Sequence, residues 1–147
     1  MAGIDILLIE DNLHDAEMIE EAIREQGGNG TLRTFTDGVE ALDSFFGAQG
    51  LLQKAPADLP RVVLLDLKLP KISGVDILHR LKSDTRTRHI PVVIFTSSNE
   101  PRDRSECYRW GANSYIVKPM DADQFSRYVA AIRTYWVMTN RTAYADN

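Results

Sequence analysis

The chain predicts an α/β fold, a parallel sheet wrapped by helices, and three observations predict it. Five short apolar runs, IDILLI, TLRTF, RVVLL, PVVIF and NSYIV, recur along 147 residues. The stretches between them place apolar residues at helical spacing, the alternation of strand–helix units. Two runs, Val62 to Leu65 and Val92 to Phe95, are apolar at every position, as central strands covered on both faces are.

The first run has too few apolar residues for a signal segment or a membrane span, and no basic run precedes it. A cytoplasmic protein is therefore expected. Ala16, Met18, Ile19, Ala22 and Ile23 follow at roughly helical spacing, with Gly27-Gly28 as the stop. The second run carries Arg33 and two threonines and reads as an edge strand. Asp37-Gly38 turns the chain into a second helix through Ala41, Leu42, Phe45 and Phe46. From about 47 to 60, GAQGLLQKAPADLP exceeds the usual connection of about 2–6 residues. This insertion reads as a surface loop with Leu51 and Leu52 tucked against the domain rather than as a docking element.

Ser73-Gly74 precedes a third helix with Val75, Ile77, Leu78 and Leu81 on its apolar face. The fourth helix, around Arg102 to Trp110, is polar and poorly patterned for burial, so it should be the least firmly packed, with Cys107 structural. The last helix, from about 121 to 138, aligns Phe125, Tyr128, Val129, Ile132, Tyr135 and Trp136 in one stripe. At about 27 Å it outreaches a strand of about 17 Å and should overhang the sheet.

Hydrophobic residues make up 44% and charged residues 26%, the range of one compact domain. The net charge of −4 disfavours a general hold on nucleic acid. One cysteine and three scattered histidines offer neither a disulfide nor a zinc cluster. His14, His79 and His89 read as surface or capping residues.

In an open parallel sheet, functional groups gather beyond the carboxyl ends of the strands. There the chain has Glu10 and Asp11, then Asp66, then Thr96 with Ser97 and Ser98, then Lys118-Pro119. A single carboxylate after a strand is often only a helix cap. Three brought together repel unless a cation joins them, and such hard oxygen ligands suit Mg²⁺. With Lys118 to balance charge and Thr96 to donate a hydrogen bond, the set describes a site for a phosphoryl group.

Glu10-Asp11, the DLKLP segment from Asp66 to Pro70 with Gly74 beyond it, Thr96-Ser97 and Lys118-Pro119 together resemble bacterial response-regulator receiver domains over about residues 4 to 138. The resemblance implies a doubly wound, flavodoxin-like (βα)5 sheet of order 2-1-3-4-5. It implies Asp66 as phosphoacceptor and Mg²⁺ held by Glu10, Asp11, Asp66 and the backbone carbonyl of Lys68. Thr96 and Lys118 would contact the phosphoryl oxygens, Tyr115 would be the aromatic switch residue, and Gly74 and a cis peptide before Pro119 would shape the site. A carboxylate is already deprotonated at neutral pH, so no general base is needed and no enzyme in the usual sense is expected.

The receiver is expected over 1–139, with a short tail over 140–147 and no output domain, so a partner or self-association would carry the signal. The enlarged loop and aromatic-rich last helix resemble the small regulators paired with bacterial phytochrome histidine kinases. That implies a sensor kinase as partner. A homodimer would form through the last helix and the face of the fourth helix, fifth strand and last helix, unless the end of the last helix folds back on the domain. No nucleic acid or membrane contact is expected.

Other readings differ at particular residues. Magnesium-dependent phosphoester-processing enzymes use an Asp-x-Asp, where this chain has Asp66-Leu67-Lys68. A flavin module needs a Ser/Thr/Gly-rich phosphate loop after the first strand, where this chain has Glu10-Asp11-Asn12-Leu13-His14. A degenerate receiver acting as a constitutive binding module would have lost residues that are all present here.

Overall fold

The computed structural model describes residues 3–28 and 30–144. Five strands, β1 (Ile6–Ile9), β2 (Leu32–Phe35), β3 (Val62–Leu65), β4 (Val92–Thr96) and β5 (Ser114–Val117), form one sheet of order β2-β1-β3-β4-β5. All four pairings are parallel. The expected α/β class, strand order and edge position of β2 are all observed.

Five helices connect them: α1 (Leu13–Glu25), α2 (Gly38–Phe46), α3 (Gly74–Ser83), α4 (Pro101–Arg109) and α5 (Ala122–Arg133). Short polar side chains start most of them. Asn12 accepts from Asp15 N, Asp37 from Glu40 N, Ser73 from Asp76 N and Asp121 from Gln124 N. α1 stops where Gly27 takes φ +79°, a left-handed conformation that glycine adopts without strain.

Alternate residues of each strand point to opposite faces, so the core has two halves. Ile6, Leu8, Val62, Leu64, Val93 and Phe95 pack under α1 and α5 with Ile19, Ile23, Phe125, Val129 and Ile132. Leu7, Ile9, Val63, Leu65, Val92 and Ile94 pack on the other face with Phe45, Ile77, Leu78, Leu81 and Cys107. Helices on both faces explain why β1, β3 and β4 are buried along their whole length.

Within the insertion, 3₁₀ turns at Leu51–Gln53 and Pro56–Asp58 carry the chain, with Leu51 buried and Leu52 partly buried against the core. This is the tucked loop expected. Tyr144 packs on the same face, its hydroxyl donating to the Pro60 carbonyl. Residues 1–2 and 145–147 of the expected domain and tail lie outside the described residues.

The end of the last helix differs from expectation. The α-helix stops at Arg133 and continues as a wider π-helical turn over Thr134–Thr139. Asn140 N donates five residues back to the Tyr135 carbonyl and Thr139 Oγ1 to the Thr134 carbonyl, which closes that turn. The apolar stripe is also narrower than the spacing suggested. Phe125, Val129 and Ile132 are buried, whereas Tyr128 and Tyr135 lie at its margin and remain exposed. Trp136 and Val137 fold back onto the α1–α5 half of the core, while Met138 stays exposed.

Candidate functional site

Because every strand runs the same way, the residues that follow β1, β3, β4 and β5 emerge at one end of the sheet. Glu10 leaves β1 with its amide donating to the Phe35 carbonyl, and Asp66 leaves β3 with its amide donating to the Ile9 carbonyl. Lys118 leaves β5 with its amide donating to the Thr96 carbonyl at 2.7 Å. These ladder bonds aim three ionisable side chains at one point.

The Lys118 ammonium lies at that point. Its Nζ donates to Glu10 Oε1 at 2.6 Å, to Asp15 Oδ2 at 2.8 Å and to Asp66 Oδ2 at 3.1 Å. Glu10 is only 1% exposed and Asp66 8% exposed. The second oxygens are also held: Asn12 N donates to Glu10 Oε2, and Leu67 N to Asp66 Oδ1 at 2.7 Å. Burial raises the Glu10 carboxyl to about 7, with Asp66 adding to the rise and Lys118 opposing it. Lys118 itself is held charged, because hydrogen bonds to Asp15 and Glu10 outweigh its burial.

Glu10, Asp11 and Asp66 offer one carboxylate oxygen each within 4.8 Å of one another. With Asp15, that makes four carboxylates against the single ammonium of Lys118. Hard oxygen donors in this number suit a divalent cation such as Mg²⁺.

Thr96 is fully buried at the end of β4, and its hydroxyl accepts from Ser98 N at 3.2 Å. From there a hydrogen-bonded relay runs outward. Tyr115 Oη donates to the Ser98 carbonyl at 3.0 Å, and Ser98 Oγ donates to Asp103 Oδ2, in the first turn of α4. Lys68 is exposed beside Asp66. At Gly74 the start of α3 presses on the Asp66 loop. A Cβ there would lie 2.2 Å from the Asp66 carbonyl oxygen, so only glycine fits.

One expectation is overturned: no described peptide bond is cis, so the bond before Pro119 is trans. The β4–β5 register and the Lys118–Thr96 backbone bond already direct the Lys118 side chain into the carboxylates. The trans form is also favoured by about 0.5–1 kcal/mol for a bond preceding proline.

Asp15 and Asp103 are not among the residues singled out from sequence, and Ser98 enters there only as a neighbour of Thr96. Asp15 reads there as an ordinary first-turn acid of α1. Its position about one helical turn after Glu10-Asp11 was the available signal. Nothing local to Ser98 or Asp103 announces their pairing.

No described helix is long and apolar enough to cross a membrane. The probable methanogenesis regulatory protein FilR2 of Methanothrix harundinacea is 39% identical over 137 residues, covering 93% of this chain and 86% of that protein. Response regulator Rcp1 of Synechocystis is 31% identical over 134 residues, covering 91% and 89%. Among solved structures, the phosphorylated cyanobacterial phytochrome response regulator RcpA superposes with a TM-score of 0.84 at 32% identity, covering 97% of this chain and 99% of that one. Manganese-bound Rcp1 superposes with a TM-score of 0.81 at 27% identity, covering 95% and 98%. Matched over residues 6–130 by the response regulator receiver domain, and by relatives along most of its length, the chain belongs to that family.

Proposed function

We propose that the protein is a phosphorylation switch in which Asp66 accepts a phosphoryl group from a sensor histidine kinase. The observation that carries this reading is the buried Asp66 carboxylate, held by Lys118 beside Glu10 and Asp11 at the open end of the sheet. An Asp66 carboxylate oxygen attacks phosphorus and the new O–P bond forms as the P–N bond to the kinase histidine breaks, its electron pair returning to the imidazole. Glu10, Asp11, Asp66 and the Lys68 carbonyl would hold Mg²⁺, which when bound offsets charge on the transferring oxygens. Lys118 supplies a fixed positive charge to the same oxygens, and Thr96 a hydroxyl that can turn from its Ser98 contact to donate to them. The role is signalling rather than turnover of a substrate.

The added charge is read out through Ser98, which donates to Thr96 and to Asp103 on α4 and accepts from Tyr115. The α4–β5–α5 face, with Tyr108 of α4 and Tyr128 of α5 exposed, then controls association with a partner or a second copy. Similarity to the cyanobacterial phytochrome response regulator RcpA supports a kinase of the phytochrome type. A bacteriophytochrome kinase labelled with radioactive ATP should pass its label to the wild type and not to Asp66→Asn. Label that stays on the kinase with both proteins would contradict the kinase class, and equal transfer to Asp66→Asn would contradict the acceptor.

A further inference from the structure

At the opposite end of the sheet from Asp66, the ends of α3 and α4 and the loops entering β4 and β5 border a shallow, open cleft of about 640 Å³. Its size falls in the range of small-molecule sites. His79, Lys82, Arg88, His89 and Arg109 line it together with Trp110, and no carboxylate does. In a chain of net charge −4 that concentration of basic groups is local and concave. It focuses a positive potential on whatever enters.

These groups are not all committed elsewhere. The Lys82 amine is, donating to the Arg88 and Ile90 carbonyls and to Asn113 Oδ1 in the floor, where burial lowers its pKa to about 8 and leaves the exposed arginines as the lasting charges. Arg88 and Arg109 pair with no described carboxylate, whereas the neighbouring Arg80 and Arg86 share Asp84. The cleft also has an aromatic wall. The His79 and Trp110 rings lie 4.2 Å apart between centroids, the Arg109 guanidinium stands 5.6 Å from the indole, and Trp110 remains 36% exposed. Guanidinium groups beside an exposed aromatic ring are what a ligand combining phosphate with a flat heterocycle requires.

We propose that this cleft binds a free nucleotide, its phosphates against Arg88, Arg109 and His89 and its base on the Trp110–His79 wall. The site is independent of the Asp66 centre. Isothermal titration of the full chain with ADP, at about 0.15 M salt and in EDTA, tests it, because without metal the acidic end repels phosphate. Saturable binding is expected. Adenosine and inorganic phosphate should each bind at least about tenfold more weakly, since each offers half the recognition. Replacing both Arg88→Gln and Arg109→Gln should weaken ADP by about tenfold or more, and Trp110→Ala by a similar factor. Arg102→Gln, an exposed α4 cation outside the cleft, should change nothing. Each variant is checked for an unaltered circular dichroism spectrum and thermal midpoint. No saturation up to millimolar ADP, equal affinity for inorganic phosphate, or wild-type affinity in the cleft variants would overturn the proposal. Tighter binding of a short single-stranded RNA than of ADP would overturn it in favour of a nucleic-acid surface.

Discussion

α1 and α5 on one face of the sheet are held very differently from α4 on the other, where α2 and α3 bury apolar side chains of their own. α1 buries Ala16, Ile19, Ala22 and Ile23, and α5 buries Phe125, Val129 and Ile132. Those side chains meet β1, β3 and β4 in one apolar half of the core. α4 buries only Cys107, and its remaining hold on the sheet includes the polar relay from Asp103 through Ser98. A helix fixed by seated apolar side chains has one stable position. A helix resting on one small buried residue and a hydrogen bond can be re-seated at modest cost. The carboxylate–Lys118 site sits between the two kinds, with Glu10 and Asp15 on the α1 side and Thr96 leading to α4.

Substitutions sharpen that contrast. Phe125→Ala removes a ring that packs 5.2 Å from the Phe95 ring, and should lower unfolding stability by about 4 kcal/mol in chemical denaturation. Tyr108→Ala on exposed α4 should stay within about 0.5 kcal/mol of wild type. Comparable losses from the two would remove the distinction between the firmly seated α5 and the lightly held α4.

Lys118→Ala should cost about 3 kcal/mol, because it leaves Glu10 and Asp66 buried beside each other without their cation. Added Mg²⁺ should restore more stability to this variant than to wild type, as denaturation at matched Mg²⁺ would show. An unchanged response would mean that the carboxylates do not hold the ion.

A smaller effect follows from Glu10. Its carboxyl is raised from 4.5 to about 7 in the metal-free fold, so the folded state binds the extra proton between those values. The stability this group contributes is therefore full below about 4.5 and lost as pH rises through about 7. The slope is at most about 1.4 kcal/mol per pH unit for one proton. Denaturation in EDTA across that range should show a slope in the wild type that Glu10→Gln lacks.

The sheet was legible in the sequence because burial of β3 and β4 on both faces forces uninterrupted apolar runs such as VVLL and VVIF. The carboxylates and Lys118 were legible because strand ends in a parallel sheet converge by topology alone. What escaped depends on contacts between distant segments. Asp15 meets Lys118 across 103 positions and Tyr115 meets Ser98 across 17, and neither pairing leaves a periodic trace. The π-helical turn after Arg133 escaped because the apolar spacing through Trp136 continues as though the α-helix did. The expected cis bond before Pro119 came from family resemblance, whereas here the β4–β5 register and the Lys118–Thr96 backbone bond direct Lys118 with that bond trans.

The central claim is that Asp66 is the phosphoacceptor and needs a divalent cation to act. Intact mass after incubation with acetyl phosphate tests it most directly, on wild type and Asp66→Asn, with and without Mg²⁺. Wild type with Mg²⁺ should gain one phosphoryl group, and no other condition should give a gain. A gain in Asp66→Asn, or an equal gain without Mg²⁺, would contradict it.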